Sequence, residues 1–229
     1  MMNMDQLPDL VINGVSDASG GSYGRVDIEG IGRVKHHLTA KVFKGNGTIR
    51  VKGNLIAGEI ECNGTMNVRG NLHFDTLKAD GMFEVGGGIR GESLTLNGLI
   101  KVQGDCEVEN FSGEGGFTIH GFLSAGHVNY KLHGSGKARD IGVESITIRQ
   151  ANKGVWSKLW SGIFPKFKPE LLAGTIEGDH IDLEYTTAEI VRGNTVIIGP
   201  GCSIGFIEYR SELSVHPDSK VGKGMRIGV

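Results

Sequence analysis

From Gly47 to Lys131 the apolar residues recur at a fixed interval of 17. Setting Gly47, Gly64, Gly81, Gly98 and Gly115 above one another aligns five copies of one unit. Gly53, Gly70, Gly87, Gly104 and Gly121 form a second glycine column. Between the glycines run two apolar columns, Ile49, Met66, Phe83, Ile100, Phe117 and Val51, Val68, Val85, Val102, Ile119. Leu55, Leu72, Ile89, Cys106 and Leu123 make a third, and Ile60, Leu77, Leu94, Phe111 and Val128 a fourth. A fixed period over several copies is the mark of a repeat architecture.

Inside each copy, apolar and polar residues alternate, which sends one set to a buried face and the other to solvent, as in a strand. The alternating stretches are too short for helices, and the glycines mark corners where a positive φ costs little. Three short strands and three corners per unit describe one triangular coil of an all-β, parallel β-solenoid with about 17 residues per coil. A single coil buries too little apolar surface to offset the entropy of ordering it, so stacking is obligatory. Roughly ten coils are expected, a rod about 50 Å long at about 4.8 Å per coil.

The pattern divides the chain into four parts. Residues 1–22 read as a flexible N-terminal tail with one sticky segment, Leu10-Val11-Ile12. Residues 23–150 read as the solenoid, 151–172 as an insertion, and 173–229 as a C-terminal continuation of the solenoid. Gly24 to Gly30 fits the unit, but Gly24 lies 23 residues before Gly47, which predicts six extra residues within Gly32–Gly45. Leu132–Gln150 loses the glycine column while Ile146-Thr147-Ile148 keeps the strand pattern.

The insertion has a different character. Trp156, Leu159, Trp160 and Ile163 lie at helical spacing, with Phe164 and Phe167 following. Lys153, Lys158, Lys166 and Lys168 are interleaved, no acid occurs between Glu144 and Glu170, and Pro165 would end a helix. Three readings fit: a helix or loop folded back on the solenoid, a basic–aromatic contact for a membrane surface or partner protein, or a disordered segment.

Composition sharpens the fold. The chain has 38 glycines in 229 residues, more than twice the usual share of about 7%, and their spacing excludes collagen. A formal net charge of -2 gives no support for nucleic-acid binding. Cys62, Cys106 and Cys202 are odd in number, and two fill apolar positions of the repeat. They read as buried free thiols of a reducing compartment. No signal peptide or membrane-spanning run is evident, so a cytoplasmic location is expected.

No catalytic ladder emerges from the outward positions. Arg50, Asn67, Glu84, Lys101, Thr118 and Lys52, Arg69, Gly86, Gln103, His120 mix signs and sizes, as a solvated face does. Carboxylate pairs do not recur on neighbouring coils, and calcium-binding repeat units are missing. His36, His37, His73, His120 and His127 join no metal-binding or nucleophile pattern. Gly86-Gly87-Gly88 lacks the lysine and hydroxyl of a phosphate loop and reads as a corner. No cofactor, catalytic residue, metal or small-molecule substrate is expected.

Glycine-punctuated β-repeats through Gly24–Gln150 with sticky flanking segments resemble the bactofilins, polymer-forming cytoskeletal proteins of bacteria. The resemblance implies a right-handed triangular β-helix and nucleotide-free assembly into filaments, as a homo-polymer or a co-polymer with a paralogue. It also implies scaffolds for cell shape, envelope organisation or motility, at times peripheral at the inner face of the cell membrane. Val221, Met225, Ile227 and Val229 are the expected end contacts of such a polymer. Two alternatives are a left-handed β-helix acyltransferase, suggested only by the hexapeptide-like Ile198–Gly205, and a monomeric scaffold that binds a partner through Ala151–Leu172.

Overall fold

The computed structural model of the protein describes residues 7–151 and 170–228. Every regular element among them is a strand, and the strands form a parallel β-solenoid of about 12 turns. The chain divides between Glu109 and Asn110 into two compact units.

The first unit holds β1 (Leu10–Ala18), β2 (Gly21–Val34), β3 (Leu38–Val51), β4 (Leu55–Val68), β5 (Leu72–Val85), β6 (Ile89–Val102) and the start of β7 (Cys106–Gln150). β2 to β6 each make up most of a coil, bent at its corners, whereas β7 runs on through more than two. Leu38 pairs with Leu55, Leu55 with Leu72, and Leu72 with Ile89, each step being one period. Buried columns follow from this register. Ile49, Met66, Phe83 and Ile100 stand over one another and are all buried, as the sequence pattern requires. Val34, Val51, Val68, Val85 and Val102 form a second such column.

Large and small side chains are matched across the core. A Cβ on Gly45 would lie 2.1 Å from Ile49 Cδ1, and one on Gly91 would lie 2.3 Å from Phe74 Cε2. The isoleucine and phenylalanine thus occupy volume that their neighbours leave open, as close packing demands. The two glycine columns have different causes. Gly64 has φ +120°, and its Cβ would meet Gly47 O at 2.3 Å, so both conformation and space demand glycine. Gly70 needs no positive φ, and the close approach of Asn54 and the Gly53 backbone from the neighbouring coil excludes a side chain.

Two expectations about the N-terminal part are corrected. Residues 1–22 are not simply a tail, because Leu10–Ala18 forms β1 and pairs in parallel with Val26–Val34. Ile12 is buried on this coil, and Gly14 stacks on Gly30. Nor are there six extra residues before Gly47. Gly30, not Gly24, is its counterpart, and Gly32 stands where Ile49 stands one coil later. The side chain of Ile28 fills the place above Gly32, whose Cβ would come within 2.7 Å of Ile28 Cγ2.

The second unit contains the rest of β7, β8 (Leu171–Leu183), β9 (Thr186–Ile198), β10 (Ser203–Val215) and β11 (Lys220–Arg226). Phe111, Phe117 and Tyr130 cluster in its core with ring centroids 5.0–5.4 Å apart. Ile176, Val191 and Ile207 continue a buried column. Ile148 pairs with Leu183 and Gly136 with Leu171. The next corner takes 3 residues from Leu183 to Thr186, whereas 23 separate Ile148 from Leu171, so 20 residues are inserted at one corner without disturbing the register. β8 already begins at Leu171, which is fully buried. Arg149 holds this corner by pairing with Asp182 at 2.8 Å and Glu184 at 3.5 Å. Gly199–Cys202 is also a corner, between β9 and β10, with Gly201 at φ +74°.

Candidate functional site

Each corner and face repeats at every coil, so any site on a solenoid is a column of equivalent positions. In the first unit several outward columns have an order of their own. Asp27, Lys44, Glu61 and Lys78 alternate in sign, and Lys44 Nζ lies 2.9 Å from Glu61 Oε2. Hydrogen bonding to Lys44 lowers the pKa of the Glu61 carboxyl from its ordinary value. One position before the positive-φ glycines, Asn63 Nδ2 donates to Asn46 Oδ1 at 3.0 Å and Asn97 Nδ2 to Asp80 Oδ1 at 2.8 Å. At the other corner Asn54 Oδ1 accepts from Asn71 N–H, and Asn71 Oδ1 accepts from Gly88 N–H. These polar ladders satisfy corner and edge groups that the strand ladder leaves open. They are structural.

The groups with chemical potential are few. Cys62, Cys106 and Cys202 are free and buried, and burial pushes the first two thiols up to about 12. A thiol so raised stays protonated and is a poor nucleophile at neutral pH. His127 Nδ1 and Ser145 Oγ lie 2.8 Å apart, a pair that sequence reasoning missed because 18 residues separate them. Among the described residues no carboxylate hydrogen-bonds the imidazole, so the third member of a nucleophile triad is lacking. No cluster of three metal-ligating residues occurs among the described residues.

Two shallow grooves lie on the surface. The one on the first unit encloses about 880 Å³ and is lined by residues that include Lys41, Ile56, His73, Asp75 and Arg90. The one on the second unit encloses about 630 Å³ and includes Asp140, Glu177, Arg192 and Arg210. Charges of both signs line each groove, and Arg192 is paired with Glu208 and Glu177.

The expected end contacts lie on the outermost described coil of the second unit. Val221 and Met225 belong to β11, where Met225 is 39% exposed, and Ile227 follows it with its N–H donated to Tyr209 O at 2.8 Å. β11 pairs with β10, and no strand among the described residues covers its other edge. The contrast with the coil beneath is sharp: Ile204 and Ile207 are buried, while their partners Val221 and Gly224 are not. Val229 lies outside the described residues. So do Lys153, Trp156, Lys158, Leu159, Trp160, Ile163, Phe164, Lys166, Phe167 and Lys168, the basic–aromatic set. No helix among the described residues is long and apolar enough to cross a membrane.

The chain is similar to two proteins of Bacillus subtilis (strain 168), both uncharacterized. It is 38% identical to YhbF over 102 residues, which is 44% of this chain and 40% of YhbF. It is 40% identical to YhbE over 104 residues, 45% of this chain and 42% of YhbE. The match thus spans about two-fifths of the length of either relative. No protein-family profile and no solved structure matches the chain.

Proposed function

We propose that the protein is a bactofilin-like structural protein that assembles without nucleotide, by docking of solenoid coils, into cytoplasmic filaments or scaffolds. The observation that carries this reading is the open outer coil of the second unit. Val215 and Met225 are exposed there, and the backbone groups of β11 face outward without a partner among the described residues. An uncovered parallel edge beside an apolar core is a template for another edge. Docking on a different surface of a second copy is heterologous and propagates, whereas docking on the same surface stops at a dimer.

Light scattering and negative-stain microscopy on the full chain test the proposal, with a Met225→Lys, Ile227→Lys variant beside it. Polymers or large assemblies of the wild type, reduced in the variant, are expected. A wild type that stays monomeric at tens of micromolar overturns assembly by this chain alone, and a scaffold that binds a different partner then takes its place.

A further inference from the structure

One face of the first unit carries a column whose electrostatics run against stability. Lys52 N–H donates to Val34 O and Arg69 N–H donates to Val51 O, so Lys35, Lys52 and Arg69 occupy the same point of three successive coils. Arg33 and Arg50 pair directly in the neighbouring outward column. All five side chains are exposed. Adjacent strands are about 4.8 Å apart, and like charges placed opposite one another are destabilising. Asp17 is shared by Arg33 at 3.5 Å and Lys35 at 3.4 Å. Among the described residues Arg50, Lys52 and Arg69 have neither an ion pair nor a hydrogen bond from the side chain. Elsewhere on the same unit, the column Asp27, Lys44, Glu61, Lys78 shows that the fold accommodates alternating signs.

Beside the cations, two residues nearer the glycine corner, runs an uncharged column: Val15, Ile31, Thr48, Thr65, Met82 and Leu99. Val15, 67% exposed, and Met82, 53% exposed, stand at the two ends of this stretch on the coils of Asp17 and Glu84, and Ile31, Thr48 and Thr65 on the cations' own coils are half-buried. We propose that this face of the first unit, with Arg50, Lys52 and Arg69 at its centre, binds the anionic headgroup surface of a lipid bilayer. A cationic cluster bordered by Ile31, Thr48 and Thr65, with Val15 and Met82 one coil beyond at either end, suits an interface that has charge outside and hydrocarbon just beneath. A single-stranded nucleic acid fits less well, because none of the residues in these outward columns is aromatic and none offers a base a stacking partner. The face shares no residue with the open coil of the second unit or with the basic–aromatic sequence, and it binds whether or not the protein polymerises.

The test is co-sedimentation of the full chain with phosphatidylcholine vesicles, with and without a quarter of phosphatidylglycerol, at low and high salt. Two variants accompany the wild type: Arg50→Ser, Lys52→Ser, Arg69→Ser on the face, and Lys153→Ser, Lys158→Ser, Lys166→Ser, Lys168→Ser in the basic–aromatic segment. The expected result is binding to the anionic vesicles only, weakened by salt, and lowered on the order of 100-fold by the face substitutions. The segment substitutions leave a salt-sensitive component that the face substitutions remove. The face variant keeps its circular dichroism and a urea midpoint equal to or above that of the wild type, since a like-charge stack has been relieved. No binding to anionic vesicles at low salt overturns the proposal, as does equal binding by the wild type and the face variant. Preference for a single-stranded oligonucleotide or polyphosphate over the vesicles also overturns it, and assigns the face to a soluble polyanion.

Discussion

Three glycine-to-alanine substitutions separate the two reasons a corner needs glycine. Gly134 has an ordinary φ and nothing within 4 Å of the point where a methyl would sit, so Gly134→Ala is expected to be neutral or to stabilise. Loss of unfolded-state freedom gives it about 0.4–1 kcal/mol in the favourable direction. Gly14 has φ +87° but equally open surroundings, so Gly14→Ala isolates the backbone cost, about 1–3 kcal/mol. Gly64 adds to a similar φ a Cβ only 2.3 Å from Gly47 O, an atom that cannot rotate away. Relieving that contact must move one coil against the next, and overpacking of this kind costs a further ~1–3 kcal/mol. The expected total for Gly64→Ala is about 2–6 kcal/mol. Urea unfolding followed by circular dichroism measures Gly64 and Gly134. Hydrogen exchange of the β1 amides measures Gly14, because an outer coil can open on its own. A cost below about 0.5 kcal/mol for Gly64→Ala refutes the account of the glycine column. Equal costs at Gly14 and Gly64 refute the part assigned to the carbonyl contact.

Gly91→Ala is expected to destabilise by about 1–3 kcal/mol, because the new methyl enters the space of the Phe74 ring, and Phe74→Leu in the same chain recovers part of the loss by urea unfolding. Phe83→Asp is expected to prevent folding, seen as loss of the β signal in circular dichroism, because an unpaired carboxylate enters a closed apolar column. The buried thiols are expected to resist a disulfide reagent at neutral pH and to react, all three, in denaturant. The raised pKa of Cys62 and Cys106 makes the stability these two contribute full below pH 9 and lost as pH rises toward 12; a Cys62→Ala, Cys106→Ala variant shows a shallower alkaline decline in urea midpoint.

The coil was legible wherever two independent signals coincided. From Gly47 onward the glycine and the apolar columns agree, and residues such as Phe83 and Val85 fall where the pattern puts them. Before Gly47 the signals part company. Gly32 occupies an apolar column, and Gly24, which stands at the break in the ladder where Lys41 and Gly58 stand on the next coils, imitates the corner glycine. β1 was hidden for a related reason: Gly14 stands 16 residues before Gly30, one short of the period. From β8 to β11 the steps between partners vary between 15 and 17, so no single period aligns these strands. Close contacts across coils, such as His127 with Ser145, depend on those local offsets and leave no mark in the sequence.

The same register error concealed the cationic face. Read from Gly47, its columns begin Arg50, Asn67, Glu84 and Lys52, Arg69, Gly86, which looks like unsorted solvent-facing polarity. Read from Gly30, they gain Arg33 and Lys35 one coil earlier, and the like charges become neighbours. On a solenoid the meaning of an outward residue lies in what stands one coil above and below it. Alternation in the column through Lys44 and Glu61 gains a little stability from pairs that remain exposed to solvent. Repetition of one sign in the column through Lys52 gains none and costs some, so its origin lies outside the fold's own stability. The anionic surface proposed for this face would supply the missing partner charge along a whole column at once, because the coil spacing holds the cations in line.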